Sequence, residues 1–361
     1  MKKIRTLFLN LVEIGAPSGF EEPVMRFLTR ALEPRVDEVW HTSRGNVLGV
    51  KKGTDSEAPK IALVAHMDQV GFIVFNIDER GFIMFRKIGG SVNRAIEGQQ
   101  LRLLGEKEPI VGVAGIKPGH ITPPEESNKV PPIEDLYIDV GAESREEVKE
   151  MGIKIGTPIV YHTSPLDLAN DQIASPAVDD RAGLTAILMV SEHLKDEEIP
   201  STIHYVGSVE EEVGLRGAEV ALHGLDVDMA VAIDTFPAGY QPDVNMRDLY
   251  YEVGKGPAIH IGEISGGRTR LQSQIVGDWL RWVAEEEDIP YQAGLMQGGT
   301  DASALMQTGE GIPACTVGIP RKYSHSPIET FNMRDLENLI KLLTTALKGL
   351  DSDFSTSRIG Y

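Results

Sequence analysis

Apolar residues at the start of the chain recur at helical spacing, and shorter continuous apolar runs follow. The apolar positions three or four residues apart that predict a first amphipathic helix are Ile4, Leu7, Phe8 and Leu11. A second helix is predicted over residues 24–32 and ends at Pro34. Strands are then predicted over residues 36–40, 46–50 and 60–65.

The pattern changes twice further along the chain. Residues 69–165 contain short alternating segments and a Pro-rich stretch, which predict a compact β-rich domain inserted into the fold. From residue 179 onward, helices are predicted over residues 182–194, 216–223, 269–287 and 333–347, and strands over residues 202–208, 229–233 and 314–319. This alternation predicts an α/β domain, formed by residues 1–68 and 166–361, with a mainly parallel central sheet flanked by helices.

Composition narrows the functional classes. A chain of 361 residues exceeds what one hydrophobic core usually supports, which agrees with one large and one small domain. With 35 basic and 54 acidic residues the net charge is -19, which argues against nucleic acid or a membrane surface as a partner. Cys315 is the only cysteine, so no disulfide framework exists and a reducing, cytoplasmic location is expected. No apolar stretch of the sequence is long enough to span a membrane.

Histidine and acidic residues follow the predicted strands, where open α/β sheets bind their ligands. His66 comes directly after an apolar strand, and Asp68 lies two residues later, on the same side of an extended chain. Asp68 is therefore placed to accept a hydrogen bond from the His66 ring and to fix its tautomer. Taken alone, such a pair is more typical of a surface loop.

Two acidic clusters occur in the same setting. Asp179 and Asp180 precede a predicted helix, where they either bridge cations or simply stabilise the start of the helix. Residues 210–212 are three consecutive glutamates after an apolar strand. Like charges at a buried strand end repel unless cations neutralise them, whereas in a solvated loop they need no partner.

Asp234 and His325 complete the set. Asp234 ends an apolar strand and needs a partner for its carboxylate, and His325 follows the strand that holds Cys315. Two histidines and several carboxylates at strand ends together suit a pair of divalent cations with nitrogen and oxygen ligands.

These residues lie in five longer motifs, through which the chain resembles the tetrahedral (TET) aminopeptidases, a family of dinuclear metallopeptidases. The family also contains glutamyl and deblocking aminopeptidases and proteins once labelled cellulase M. The motifs are Ala65-His66-Met67-Asp68-Gln69-Val70-Gly71-Phe72, Val178-Asp179-Asp180-Arg181-Ala182-Gly183, Glu211-Glu212-Val213-Gly214-Leu215-Arg216-Gly217-Ala218, Gly298-Gly299-Thr300-Asp301 and Arg321-Lys322-Tyr323-Ser324-His325. The resemblance spans nearly the whole chain.

The resemblance implies an enzyme that hydrolyses the N-terminal residue from peptides through a water between two divalent metal ions. Zinc, cobalt and manganese are the metals it implies. Asp179 is implied to bridge both ions, with His66 and Asp234 completing one site and Glu212 and His325 the other.

The resemblance also implies catalytic roles and an assembly. Glu211 is implied to be the general base and Asp68 the residue that orients His66. The inserted domain, residues 69–165, is implied to be PDZ-like and to help build dimers that assemble into a hollow dodecamer and control access to it.

Two departures from the family pattern affect specificity and assembly rather than chemistry. Gln69 stands where an acidic residue is usual, and residues 259–267 are unfamiliar. A dinuclear carboxypeptidase, dipeptidase or deacylase has a similar two-metal core and remains an alternative. A peptide-binding scaffold on an inactive hydrolase is a third reading, against which the complete ligand set speaks.

Overall fold

The structure, a computed structural model, describes residues 1–265 and 267–358. It contains a large sheet covered by helices and a separate closed barrel. The helices of the described residues are α1 (Lys2–Val12), α2 (Glu22–Leu32), α3 (Arg145–Glu150), α4 (Val178–Leu194), α5 (Ala218–Ala221), α6 (Gln274–Glu286), α7 (Asp301–Leu305) and α8 (Met333–Lys348).

The strands divide between the two bodies. Those of the large sheet are β1 (Glu38–His41), β2 (Val47–Lys51), β3 (Ile61–His66), β10 (Leu166–Leu168), β11 (Gln172–Ser175), β12 (Ile203–Ser208), β13 (Met229–Pro237), β14 (Ala258–Ser265), β15 (Arg268–Leu271), β16 (Gln292–Gln297), β17 (Ala314–Lys322) and β18 (Glu329–Asn332). Those of the barrel are β4 (Gly71–Ile77), β5 (Ile83–Ile88), β6 (Gln100–Leu103), β7 (Ile110–Ala114), β8 (Tyr137–Asp139) and β9 (Pro158–Tyr161).

The large sheet is mixed rather than mainly parallel. Its centre, in the order β12-β3-β13-β17, is parallel throughout. The strands that extend this centre on both sides pair in antiparallel fashion, except for β16, which is parallel to β14. Outer pairs such as β1–β2 and β10–β11 are joined by short connections, and a short connection permits only antiparallel pairing. The prediction of a parallel sheet is therefore correct for the centre alone.

Both faces of the central strands are buried. On β3, Ile61, Leu63 and Ala65 pack with residues of α1, α4, α6 and α8, whereas Ala62 and Val64 pack with residues of α5 and α7. This double burial explains why the central strands are continuous apolar runs. Each fully buried Val, Leu or Ile side chain contributes roughly 1.5–3 kcal/mol to the stability of the fold, so these strands form a stable support for the residues at their carboxyl ends.

The barrel has its own apolar core. Its six strands are antiparallel in the order β4-β5-β8-β7-β6-β9, with β9 closing onto β4. Phe72 lies at its centre, with ring centroids 5.2 Å from Phe85 and 5.3 Å from Tyr161 in edge-to-face contacts. The predicted β-rich segment is thus a closed barrel, entered directly after β3 and left before β10.

One predicted helix is partly wrong. Residues 269–271 belong to β15, which pairs with β14, and α6 begins only at Gln274. The pairing holds these residues extended, and it involves a strand that the sequence pattern did not predict. Gly266, within the unfamiliar stretch 259–267, lies outside the described residues.

No helix of residues 1–265 or 267–358 is long and apolar enough to cross a membrane.

Candidate active site and metal centre

The candidate residues meet at one edge of the large sheet. His66 is the last residue of β3, Asp234 lies within β13, and Asp179 lies at the start of α4. Glu211 and Glu212 follow β12, and His325 follows β17. Because β3, β12, β13 and β17 are parallel, their carboxyl ends bring these side chains together, as expected for an open α/β sheet.

Two groups of potential ligands share one carboxylate. The ligand atoms of His66, Asp179 and Asp234 lie within 4.8 Å of one another, and so do those of Asp179, Glu212 and His325. Asp179 Oδ1 is 3.1 Å from His66 Nε2, and Asp179 Oδ2 is 3.4 Å from His325 Nε2. The two oxygens of Asp179 therefore face different groups, which is the arrangement required of a bridging ligand.

Asp68 connects the end of β3 with the loop that follows β12. His66 Nδ1 lies 3.1 Å from the backbone oxygen of Asp68 and 3.4 Å from its Oδ1. The carboxylate of Asp68 also accepts hydrogen bonds from Ser18 Oγ at 2.7 Å and from the backbone N–H groups of Glu211 and Glu212 at 3.0 and 3.1 Å. A proton on Nδ1 leaves the lone pair of His66 Nε2 pointing at Asp179, where only a proton or a cation is favourable.

His325 is oriented by both bodies of the molecule. Its Nδ1 lies 3.3 Å from the backbone oxygen of Gly90, in the loop that follows β5 of the barrel. Its backbone N–H donates to Glu329 Oε1 at 2.7 Å. With Nδ1 donating to Gly90, Nε2 is left to face Glu212 Oε2 at 3.4 Å.

Arg321 and Glu329 form a buried charged layer beneath the shared carboxylate. Arg321 is 3% exposed and donates to Asp179, to Thr235 Oγ1 and, at 3.0 Å, to Glu329 Oε1. Glu329 is 2% exposed and also accepts from the backbone N–H of Asp179 at 3.1 Å. A buried charge persists only when paired in this way, so the layer fixes the position of Asp179.

The electrostatics of the site favour bound positive charge. Burial, together with nearby carboxylates, raises the pKa of Glu211, Asp234 and Asp180, and it raises the pKa of Glu212 to about 7. Burial would also raise the pKa of Asp179, but the Arg321 guanidinium and the two histidines hold it well below its usual range.

The pKa values of His66 and His325 are raised, whereas burial alone would lower them. Burial lowers the pKa of both rings, but the carboxylates beside them, Asp179 first, outweigh burial and raise the pKa of His66 well above its ordinary value and that of His325 to about 9. Protons therefore neutralise this site when cations do not, and cation binding must displace them.

The donor set fits divalent cations. Histidine nitrogen with carboxylate oxygen is the mixture that zinc, cobalt and manganese accept in proteins. Glu212 Oε1 is buried and has no hydrogen-bond partner among the described residues, as expected of an oxygen reserved for a ligand. The candidate ligands and Glu211 line a cavity of about 390 Å³, together with Arg321 and a second wall of uncharged residues.

A sequence profile of the M42 glutamyl aminopeptidase family matches residues 45–342, a stretch that includes every site residue named above. The chain belongs to this family. The activity class expected from the sequence, a metal-dependent aminopeptidase, is thereby confirmed, and the carboxypeptidase, dipeptidase and deacylase alternatives are not favoured.

Individual relatives and solved structures are similar to this chain over nearly its whole length. The lysyl aminopeptidase of Pyrococcus furiosus is 33% identical over 349 residues, which cover 95% of this chain and 96% of that protein. Aminopeptidase APDkam598 from the archaeon Desulfurococcus kamchatkensis is 35% identical, with a TM-score of 0.93 over 98% of this chain and 96% of that one. The Pyrococcus horikoshii TET1 peptidase, which can assemble into a tetrahedron or a large octahedral shell, is 30% identical with a TM-score of 0.85 over 96% and 100% of the two chains.

Sequence reasoning about this M42 protein did not single out Arg321, Glu329 or Gly90. Arg321 stands inside the motif that ends at His325. It follows an apolar run, and a charged residue in that position could have been recognised as part of the site. Glu329 begins the buried strand β18, but no apolar run precedes it in the sequence, so it gave no such indication. Gly90 acts through its backbone oxygen, for which its residue type gives no indication.

Proposed function

We propose that this M42 aminopeptidase holds two divalent cations per subunit and uses them to cleave the first peptide bond of a substrate with a free amino end. The observation that supports the proposal best is the shared carboxylate of Asp179, whose two oxygens lie 3.1 Å from His66 Nε2 and 3.4 Å from His325 Nε2. In this assignment His66 and Asp234 complete one cation site, and Glu212 and His325 complete the other. Zinc, cobalt and manganese each suit these donors.

Each remaining residue of the site then has a defined task. When bound, the cations would supply an activated water and Lewis acidity toward the scissile carbonyl. Glu211 lines the same cavity, takes the proton of the attacking water and passes it to the leaving amine. Asp68 keeps the His66 tautomer and, by accepting from the backbone N–H of Glu211 at 3.0 Å, holds the general base beside the ligands.

The role of Glu211 is tested by Glu211→Gln. This variant should keep about two bound cations while turnover falls by at least about a hundredfold, because general-base catalysis is lost and the ligands remain. Elemental analysis and turnover of aminoacyl p-nitroanilides provide the two measurements. Glu210→Gln is the matched control, since the neighbouring Glu210 pairs with Arg44 at 2.5 Å outside the cavity lining. Near-normal turnover in Glu211→Gln would contradict the assignment.

The requirement for a free amino end is tested with paired substrates. A peptide and its N-acetylated form differ only in the charge and size of that end. The aminopeptidase proposal expects cleavage of the free peptide alone, with release of its first residue by mass spectrometry. Release of the last residue, or cleavage of the acetylated form, would favour a carboxypeptidase or a deacylase instead.

The proposal extends to the assembly and the location of the protein. Residues 69–165 are proposed as an inserted, PDZ-like domain that takes part in dimers, a dodecameric assembly and access to the site, and the protein is proposed to be cytoplasmic. The Pyrococcus horikoshii TET1 peptidase can assemble into a tetrahedron or a large octahedral shell, and residues 69–165 expose apolar side chains that include Val113 and Ile116, at 50% and 62% exposure. A monomer by native mass spectrometry at micromolar concentration would refute the assembly.

A further inference from the structure

The cavity at the metal centre has a second wall that takes no part in the proposed chemistry. This wall consists of the apolar residues Leu215, Pro237 and Met296, of glycines that include Gly298 and Gly299, and of the uncharged polar residues Thr235, Gln297 and Ser324. A volume of about 390 Å³ is at the small end of the range for ligand pockets. A substrate whose scissile bond lay at the metal centre would place its first side chain beside this wall.

The cavity offers no free cation to an acidic side chain. Among the described residues that line it, Arg321 is the one with a lasting positive charge besides the candidate ligand His325. Arg321 is 3% exposed, and Asp179, Glu329 and Thr235 occupy its guanidinium. A glutamyl side chain would therefore lose its hydration without gaining an ion pair.

A basic side chain also finds no free partner. Glu263 is a carboxylate close to Gly299, which lines the cavity. A Cβ added to Gly299 would lie 3.7 Å from Glu263 Oε2. It is 1% exposed, and its Oε1 accepts from the backbone N–H of Thr300 at 3.1 Å and from Gln272 Nε2 at 3.2 Å. Ser303 Oγ donates to Oε2. The carboxylates that do face the cavity are those assigned to the cations and to proton transfer.

We infer that this enzyme selects substrates whose first residue has an uncharged, apolar side chain such as leucine or methionine. Charged first residues are disfavoured because the wall removes their water and supplies no counter-charge. This specificity rests on the proposed function and refines it. The inferred preference differs from the glutamyl substrate in the family's description and from the lysyl substrate in the name of the Pyrococcus furiosus relative.

The direct test compares aminoacyl p-nitroanilides of leucine, methionine, glutamate, aspartate, lysine and arginine on the full-length, metal-loaded protein. The expected kcat/KM for leucine or methionine exceeds that for every charged residue by at least about tenfold. A glutamate or lysine substrate with the highest kcat/KM would overturn the inference.

A binding measurement separates this inference from the proposed function. Calorimetry with the α-hydroxamates of leucine, lysine and glutamate reports the preference of the pocket without any turnover. If no p-nitroanilide is cleaved and leucine hydroxamate still binds most tightly, the proposed function fails and the pocket assignment stands. If a charged hydroxamate binds most tightly, the pocket assignment fails whatever the turnover.

Gln297 allows the missing charge to be introduced. It is exposed at the end of β16 and lines the cavity, so Gln297→Lys should raise the glutamate-to-leucine ratio of kcat/KM by about two- to fivefold, the range of an exposed ion pair. Gln297→Glu should raise the lysine-to-leucine ratio similarly. Gln100→Lys and Gln100→Glu, on an exposed position of β6 in the barrel, are the matched controls and should change neither ratio. Unchanged ratios in both Gln297 variants would contradict this placement of the substrate side chain.

Discussion

The sheet and the barrel contribute to the same site in different ways. The sheet and the helix α4 supply all the candidate ligands, four from the carboxyl edge of the buried strands and Asp179 from the start of α4. The barrel contributes the backbone oxygen of Gly90, 3.3 Å from His325 Nδ1, and the backbone N–H of Val92, which donates to the oxygen of His325 at 3.3 Å. One body therefore carries the charge of the site, and the other restricts the orientation of one ligand.

The sheet and the barrel also differ in how deeply their ion pairs are buried. In the sheet, Asp179, Arg321 and Glu329 form an ion-paired layer with exposures of 6%, 3% and 2%. In the barrel, a typical ion pair is Lys154 with Glu106, whose side chains are 64% and 65% exposed. Exposed pairs contribute little to stability, whereas removing one partner of a buried pair is costly. The stability of the sheet at the site thus depends on the pairing of its buried charges, whereas the stability of the barrel depends little on its exposed ion pairs.

The largest effect is expected from Asp179→Asn. An amide cannot supply negative charge to both cation sites, so both cations should be lost and turnover should fall on the order of a thousandfold or more. Elemental analysis after gel filtration and turnover of leucyl p-nitroanilide provide the check. Asp167→Asn, at an exposed ion pair with Arg5, is the control. Two tightly held cations in Asp179→Asn would disprove the bridging role.

Removing the cations should distinguish the two bodies directly. After chelation, the repelling carboxylates of the sheet edge lose their counter-charge, and a ligand present at about a hundred times its Kd contributes about 2.7 kcal/mol of stability. Amide hydrogen exchange should therefore accelerate at the start of α4 and around His325, while β4 to β9 keep their protection. Equal acceleration in the barrel core around Phe72 would show that the two bodies depend on the cations alike.

A smaller effect is expected from Glu329→Gln. The amide replaces one oxygen with an N–H₂ group, so it loses either the hydrogen bond from the backbone N–H of Asp179 to Oε2 or those from the backbone N–H of His325 and from Arg321 to Oε1. Residues that orient metal ligands typically change metal affinity or activity by about 10- to 100-fold. Metal titration and kcat/KM measure this loss, with Glu337→Gln on the exposed part of α8 as the control. Unchanged metal affinity would leave Glu329 a purely structural residue.

The sequence predicted that the candidate ligands would meet at this edge of the sheet, because the position of each one is set locally. His66 directly follows an apolar strand, and parallel central strands bring such positions together without further information. The roles of these residues remain predictions, as do the domain boundaries at residues 69 and 165. The structure adds a reason for Asp68 beyond orienting His66, since its carboxylate also holds the loop of Glu211 and Glu212.

The parts that the sequence did not predict depend on contacts between distant residues. Arg321 and Asp179 are 142 positions apart, Glu329 and Asp179 150, and Gly90 and His325 235. No periodic pattern encodes such pairs. The same reason explains β15, because its extended form requires pairing with β14 and its residues alone fit a helix equally well.

The smallest effect, and the most selective, is expected from Gly90→Ala. The backbone φ of Gly90 lies outside the left-handed region, so the added methyl group causes no backbone strain. An ideal Cβ would lie 2.8 Å from His325 Nδ1 and 3.3 Å from its Cε1, so the ring must move. The cation assigned to Glu212 and His325 should bind roughly tenfold more weakly, while the one assigned to His66 and Asp234 is retained.

Gly119→Ala is the matched control for this substitution, because no atom lies within 4 Å of the added methyl group and the φ of Gly119 also lies outside the left-handed region. Calorimetric metal titration resolves the two sites, and turnover should fall by about tenfold in Gly90→Ala alone. Equal weakening of both sites would mean that the barrel influences the whole sheet edge. No change in either site would mean that the position of the His325 ring beside Gly90 does not set the affinity of the cation assigned to it.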